Sequence, residues 1–218
     1  MIMKITQKMR KKYKLLGLKG IILCVLYTGG LIILNKFLKF DRWHIKGNYY
    51  CRTYKRKAVE LANSLKPEVV VDVGCGLGEI IGKVHAKVKY GMDIDKNALI
   101  IARLLHRDTK FVVGSFEKVI RLPIYKIDLI IMLNFLHGLE VSNWISSLRE
   151  IIEKKAVRYI LIDNYTPEYI SKLAPEEKDK VYIHNLEEYF NNLKTVKVID
   201  DGGEQARFLI LYEVMNNG

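Results

Sequence analysis

The chain has 218 residues, half of them hydrophobic, and a formal net charge of +12. That length allows one domain with an ample core plus an extension. Residues 1–66 hold sixteen Lys and Arg against only Asp41 and Glu60, while the remainder is close to neutral. The basic character therefore sits in the N-terminal third and points to an anionic surface, either nucleic acid or a membrane leaflet. Three cysteines (Cys24, Cys51, Cys75) form no CxxC pair, and the five histidines show no ligand spacing. This argues against a disulfide framework and a metal site, and for a reducing compartment.

In chain order, residues 1–14 are basic and polar, with Lys4, Lys8, Arg10, Lys11, Lys12 and Lys14. An uncharged run from Gly20 to Asn35 follows, closed by Lys36, Lys39 and Arg42. As a helix that run reaches roughly 24 Å, short of the ~30 Å hydrocarbon core of a bilayer. It also has the form of a signal peptide, but an A-x-A cleavage site is missing. The more basic flank precedes the run, so a span would carry the rest of the chain outward. Two further readings stay open: a helix lying in an anionic membrane interface, or one packed on the domain or a partner. Residues 1–45 are accordingly expected to be an N-terminal helical extension, and residues 46–218 the domain.

Residues 41–57 form a link, and a helix then runs to about Leu65, stopped by Pro67. Residues 69–79 read Val69-Val70-Val71-Asp72-Val73-Gly74-Cys75-Gly76-Leu77-Gly78-Glu79. The β-branched run predicts a buried parallel strand, and the glycines predict a sharp turn that a ligand can approach. A dinucleotide site wants G-x-G-x-x-G and a P-loop wants G-x-x-x-x-G-K-[ST]; neither is present. Asp72-x-Gly74-x-Gly76-x-Gly78 instead resembles motif I of the class I methyltransferases. The resemblance implies S-adenosylmethionine as cofactor, a cationic sulfonium ligand that tolerates acids beside it.

A helix is expected at 78–86 and a second strand at 87–93. That strand ends at Asp93, 19 positions after Gly74, close to the ~20-residue spacing of a ribose-binding acid. In the resembled family Asp93 is the motif II acid; Asp95 is expected to cap a helix at 96–106. Strand three is placed at 109–113, followed by Gly114-Ser115-Phe116 and a short turn or helix near 116–121. The family commonly has an aspartate where Ser115 stands, accepting from the adenine amino group; a hydroxyl still accepts. Phe116 is expected to stack on adenine.

Strand four at 127–133 leads into Asn134-Phe135-Leu136-His137, the segment that faces the methyl group in this fold. His137 is the expected general base, since its usual pKa suits proton transfer near neutrality; Asn134 is expected in the cofactor pocket. A helix at 141–154, strand five at 157–163 and helical segments between 167 and 193 follow. Strands at 194–200 and 206–214 close the chain around Asp201-Gly202-Gly203. The fold class is therefore α/β: a Rossmann-like, seven-stranded, mostly parallel sheet with helices on both faces, an antiparallel last strand and the N-terminal extension.

The expected cofactor-binding set is Asp72, Gly74, Cys75, Gly76, Gly78, Asp93, Ile94, Ser115, Phe116, Asn134 and Arg52, with no metal. Asn134-Phe135-Leu136 lacks the prolines of amino-group DNA methylation, and no Pro-Cys dipeptide serves cytosine C5 chemistry. Asp163 and Asn164 suit a magnesium-dependent site only in part, for want of a third ligand. Phe40-Asp41-Arg42-Trp43-His44 and Arg52-Thr53-Tyr54-Lys55, ahead of the glycine loop, resemble methyltransferases encoded with cell-surface polysaccharide biosynthesis. That resemblance implies a link folded over the cofactor, with Arg52 on the methionine carboxylate and Tyr54 walling the pocket. The expected activity is methylation, through oxygen, of a glycan or glycolipid precursor. The protein would be cytoplasmic, peripheral on the inner face of the plasma membrane. Alternatives are an RNA methyltransferase gripping phosphates with the basic arm, the less favoured partner class, or an inactive scaffold of the same fold.

Overall fold

Alternating apolar runs and polar caps set the architecture. The computed structural model describes residues 2–202 and 206–215, with side chains from Tyr13 onward. Lys4, Lys8, Arg10, Lys11 and Lys12 of the basic arm, as side chains, and Gly203 of the last turn lie outside the described residues. Helix α1 (Ile2–Leu38) is kinked at Gly17 (φ 65°). Helices α2 (Trp43–Lys46) and α3 (Thr53–Ser64) lead into the sheet. The sheet then builds as β1 (Val69–Val73), β2 (Val88–Asp93), α4 (Lys96–Leu105), β3 (Lys110–Val113), α5 (Phe116–Val119), β4 (Ile127–Met132), α6 (Ile145–Lys154) and β5 (Val157–Tyr165). Short helices α7 (Pro167–Ser171) and α8 (Pro175–Lys178) precede β6 (Leu193–Asp200) and β7 (Arg207–Val214).

The seven strands run in the order β3-β2-β1-β4-β5-β7-β6. The first five pair in parallel, and β7 is antiparallel to both β5 and β6, as expected. Alternate strand residues feed two cores, following the two-residue side-chain period. Val71, Val73, Ile130, Met132, Ile160 and Ile162 pack against α6 and Trp144 on one face. Val70, Leu129, Ile131, Leu161 and Leu209 meet α3 and α4 on the other. Strand order reverses between β1 and β4, where open α/β sheets leave a crevice at their carboxyl edge.

Two expectations are corrected here. The segment after the glycine loop is no helix over 78–86 but a single 3-10 turn, Ile81–Lys83. A Cβ on Gly82 would lie 2.1 Å from the His106 ring, so glycine is kept there at the expense of helix propensity. The cysteine pattern also misleads: Cys24 and Cys51 form a disulfide, Cα–Cα 5.2 Å, between α1 and the turn before α3, which runs against the reducing compartment expected from the cysteine count. Docking of α1 brings together two residues 27 positions apart, which no local spacing reveals.

One stripe of α1 is docked and the other is bare. Leu31 and Tyr27 join Phe40, Leu77, Ala98 and Ile101 in a third small core. Asn48 Nδ2 donates to Thr28 Oγ1 at 2.9 Å. Leu18, Ile22, Val25, Leu26, Ile33 and Phe37 remain exposed, Phe37 at 78%. The length objection to a span also falls: Tyr13–Leu38 is one helical stretch long and apolar enough to cross a bilayer by length and composition. The division expected at residue 45 falls inside α2.

Candidate active site

The crevice between β1 and β4 holds a cavity of about 600 Å³, within the range of small-ligand sites. The β1 loop forms its floor. The N–H groups of Gly74 and Cys75 both donate to Met92 O, at 2.8 and 2.9 Å, fixing the elbow to the end of β2. Gly74 and Gly76 have φ of 77° and 53°, conformations that cost other residues. A Cβ on Gly74 would meet Phe135 at 2.8 Å, and one on Gly76 would meet His44 at 2.4 Å. The bare backbone therefore admits these two rings at the cavity edge.

Acids dominate the rim. Asp93 Oδ2 accepts from Gly76 N at 2.7 Å, and its Oδ1 accepts from Asp95 N at 2.9 Å. The carboxylate is thus held at the tip of β2, facing the loop. Asp95 caps α4 as expected, Oδ1 accepting from Asn97 N and Ala98 N. Its other oxygen accepts from Asp41 N at 2.9 Å, which clasps the link over the cavity. Asp72 is 2% exposed, and its Oδ2 has no hydrogen-bond partner. Burial pushes its carboxyl from 3.8 up to about 7, with Lys55 opposing the rise and Asp93 adding to it. Lys55 itself is committed to Glu79, Nζ to Oε2 at 2.6 Å. Burial also raises the hydroxyl of Tyr27, from α1, with Glu79 beside it adding to the rise.

Of the predicted residues, Asp72, Gly74, Cys75, Gly76, Asp93, Ile94, Ser115 and Asn134 line this one cavity. Four do not. Gly78 (φ 70°) turns the loop onward, against Phe111. Phe116 is 4% exposed, in the core against Phe135 with ring centroids 5.4 Å apart; hydrophobic packing removes the side chain expected to stack on adenine. Arg52 stands over the Trp43 ring at 5.4 Å and lines a neighbouring groove instead. His137 sits edge-on to Tyr165, centroids 4.7 Å apart, outside the cavity lining. Burial holds its imidazole down at about 4, with Asp163 opposing and Arg207 adding to the fall.

Sequence reasoning gave no role to His44 and did not consider Arg207. His44 lines the cavity, and burial lowers its pKa below the usual 6.5. Arg207 is fully buried and paired with Asp163. Its Nη2 donates to Asn134 Oδ1 at 2.6 Å and to Tyr165 Oη at 2.8 Å. Asp163 Oδ1 accepts from Asn134 N at 2.6 Å, so the pair pins Asn134 at φ 56°, a left-handed turn off β4. Asp163 is occupied in this way, and among the described residues no cluster of His, Cys, Asp or Glu is gathered for a metal.

Residues 70–154 match the family described as methyltransferase domain. The N-methyltransferase NodS of Bradyrhizobium japonicum WM9, solved with S-adenosylhomocysteine, superposes with a TM-score of 0.62 at 13% identity, covering 84% of this chain and 97% of that one. The chain has the fold of the class I S-adenosylmethionine-dependent methyltransferases. Magnesium protoporphyrin IX methyltransferase of Synechocystis PCC 6803 superposes on this chain with a TM-score of 0.57 at 14% identity, covering 88% and 98%. An S-adenosylmethionine-dependent methyltransferase of Anabaena variabilis gives 0.55 at 16% identity, covering 74% and 82%. No curated protein matches the chain in sequence. The cavity suits the cofactor of this fold class. Asp41, Asp72, Asp93 and Asp95 outnumber the lining bases, which favours a cationic ligand and opposes a pyrophosphate.

Proposed function

We propose that the chain binds S-adenosylmethionine in this cavity and transfers its methyl group to an amphipathic acceptor at a membrane face. The observation that carries the reading is the unpartnered Oδ2 of the buried Asp72 carboxyl beside the Gly74–Gly76 elbow, with Asp93 fixed on the same rim. Asp93 would accept from the ribose hydroxyls. Asp72 would face the cationic methionine end. Ser115 and Ile94 would border the adenine, and Asn134 and Phe135 the methyl. When bound, the cofactor supplies an electrophilic methyl carbon on a cationic sulfur. The residues of the chain supply position, and the apolar walls of Ile80, Leu133 and Leu139 exclude water. His44, neutral near pH 7 because burial lowers its pKa, replaces His137 as the group suited to accept the acceptor's proton. Calorimetric titration tests the reading: no S-adenosylmethionine binding at high micromolar concentrations would end it.

The finer reading is methylation, through oxygen, of a glycolipid precursor by a protein peripheral on the inner face of the membrane. The resemblance of residues 40–55 and the bare apolar stripe of α1 support it. Helix α1 contains no acid, and its exposed Leu26 and Phe37 suit a lipid interface flanked by lysines. Nucleic acid draws less support, since the aromatic residues near the basic arm are already engaged: Trp43 under Arg52, Tyr50 against Tyr27, and Tyr54 buried. Flotation on anionic vesicles, with an RNA gel shift in parallel at physiological salt, separates the two. Failure to float would remove the membrane part.

A further inference from the structure

A second cavity, about 700 Å³, lies between α1 and the domain. Nothing in the cofactor site uses it. Its outer wall is the α1 surface of Val25, Gly29 and Ile32, with Ile45 of α2 opposite. Its floor is Arg52, Thr53 and Tyr54 at the start of α3, with Lys46 at the rim. Tyr54 lines both this groove and the cofactor cavity. The residue is 1% exposed, and its hydroxyl has no hydrogen-bond partner. The two cavities therefore share one wall, and the wall carries an unused polar atom.

We propose that this groove binds an amphiphile with a long apolar chain and an anionic head. This binding does not rest on the function proposed above. Charge complementarity selects the head. Arg52 has a buried Nε with no partner, and among the described residues neither it nor Lys46 is paired with a carboxylate. The acid in the lining, Asp201, is engaged: its Oδ2 accepts from Thr53 Oγ1 at 3.0 Å and its Oδ1 from Arg207 N at 2.9 Å. Continuity selects the chain. Val25 and Ile32 are 63% and 47% exposed and adjoin Ile22, Leu26 and Ile33 on the bare stripe of α1. An apolar chain can thus pass sideways from a lipid surface into the groove without crossing water, which is the favourable direction for apolar area. Its head then rests by Arg52 and Lys46, separated by Tyr54 from the cavity at the glycine loop.

Gly29 supplies the test. A Cβ there would meet no atom within 4 Å, and the same holds at Gly30, which is exposed and does not line the groove. Gly29→Leu fills the groove, while Gly30→Leu makes the same change in helix propensity outside it. The full-length protein is titrated with dodecyl phosphate below its micellar concentration, with inorganic phosphate and dodecyl maltoside as head-only and neutral-head probes. S-adenosylmethionine affinity is measured on each variant as a check of folding. Dodecyl phosphate should bind at least tenfold more tightly than either control. Gly29→Leu should weaken it at least tenfold, Gly30→Leu should leave it within twofold, and neither should move cofactor affinity. Equal dodecyl phosphate affinity in the two variants would overturn the assignment and place the amphiphile on the outer stripe of α1. Absence of amphiphile binding in a protein that binds cofactor would overturn it as well. Loss of cofactor binding in the unaltered protein would sink the proposed function, while the groove would still be judged by the dodecyl phosphate series.

Discussion

Asp72 ties cofactor binding to pH. Its carboxyl is raised from 3.8 to about 7 by burial, against Lys55 and with Asp93. Three pKa units correspond to about 4 kcal/mol between its two protonation states. The sign follows directly. The folded, ligand-free protein keeps this proton up to about pH 7, whereas the unfolded chain loses it near pH 4. Stability of the free protein should therefore fall as pH rises through that window, by up to about 4 kcal/mol. A cation bound beside Asp72 favours the ionised form, so cofactor binding should expel the proton. Below pH 7 the affinity should rise tenfold per pH unit, and S-adenosylmethionine should bind about eightfold more tightly at pH 7.5 than at pH 6. Calorimetry at pH 6 in buffers of different ionisation enthalpy counts the released proton. Asp72→Asn should abolish both the release and the slope, and should stabilise the free protein at pH 8. If the unaltered protein binds cofactor at pH 6 without releasing a proton, the reasoning is wrong.

Other outcomes follow from the same contacts. Asp163→Ala leaves Arg207 buried and unpaired and should cost about 3–5 kcal/mol in urea unfolding; a loss under 1 kcal/mol would show that the pair is not needed. Asp93→Ala removes the acceptor of Gly76 N and the expected ribose acceptor. At about 1.5 kcal/mol for each charge-assisted bond, cofactor affinity should drop roughly a hundredfold by calorimetry. Cys51→Ser opens the 27-residue covalent loop and should lower stability by about 3.5 kcal/mol on the loop-closure relation, measured against the oxidised parent without reductant. His44→Ala should lower kcat far more than His137→Ala in a methyl-release assay, because only His44 borders the cavity.

The sheet and the glycine elbow were legible because their signals are local. Val69–Val73, the alternating glycines and Asp93 sit within 25 residues, and backbone sterics alone translate them into strand, elbow and acid. The remainder depended on partners distant in sequence. Arg207 reaches Asn134 across 73 positions, and an Arg in a late strand carries no mark of a buried pair. The segment expected as a helix closes as a single 3-10 turn, with Gly82 leaving room for the ring of His106, distant in sequence. Phe116 was expected on adenine, and its packing against Phe135, distant in sequence, puts it in the core instead. The disulfide escaped for the same reason, since its two cysteines belong to elements that meet only after α1 docks.

Residues 24 to 51 form a closed covalent ring, and the roof residues Asp41, Trp43 and His44 lie inside it. The roof is fastened at one end to α1 and at the other to the turn that begins α3, with the Asp41–Asp95 clasp in between. Such a roof cannot peel off while the bond is intact. A reductant that cuts the ring removes one of these ties without touching any residue that lines the cavity.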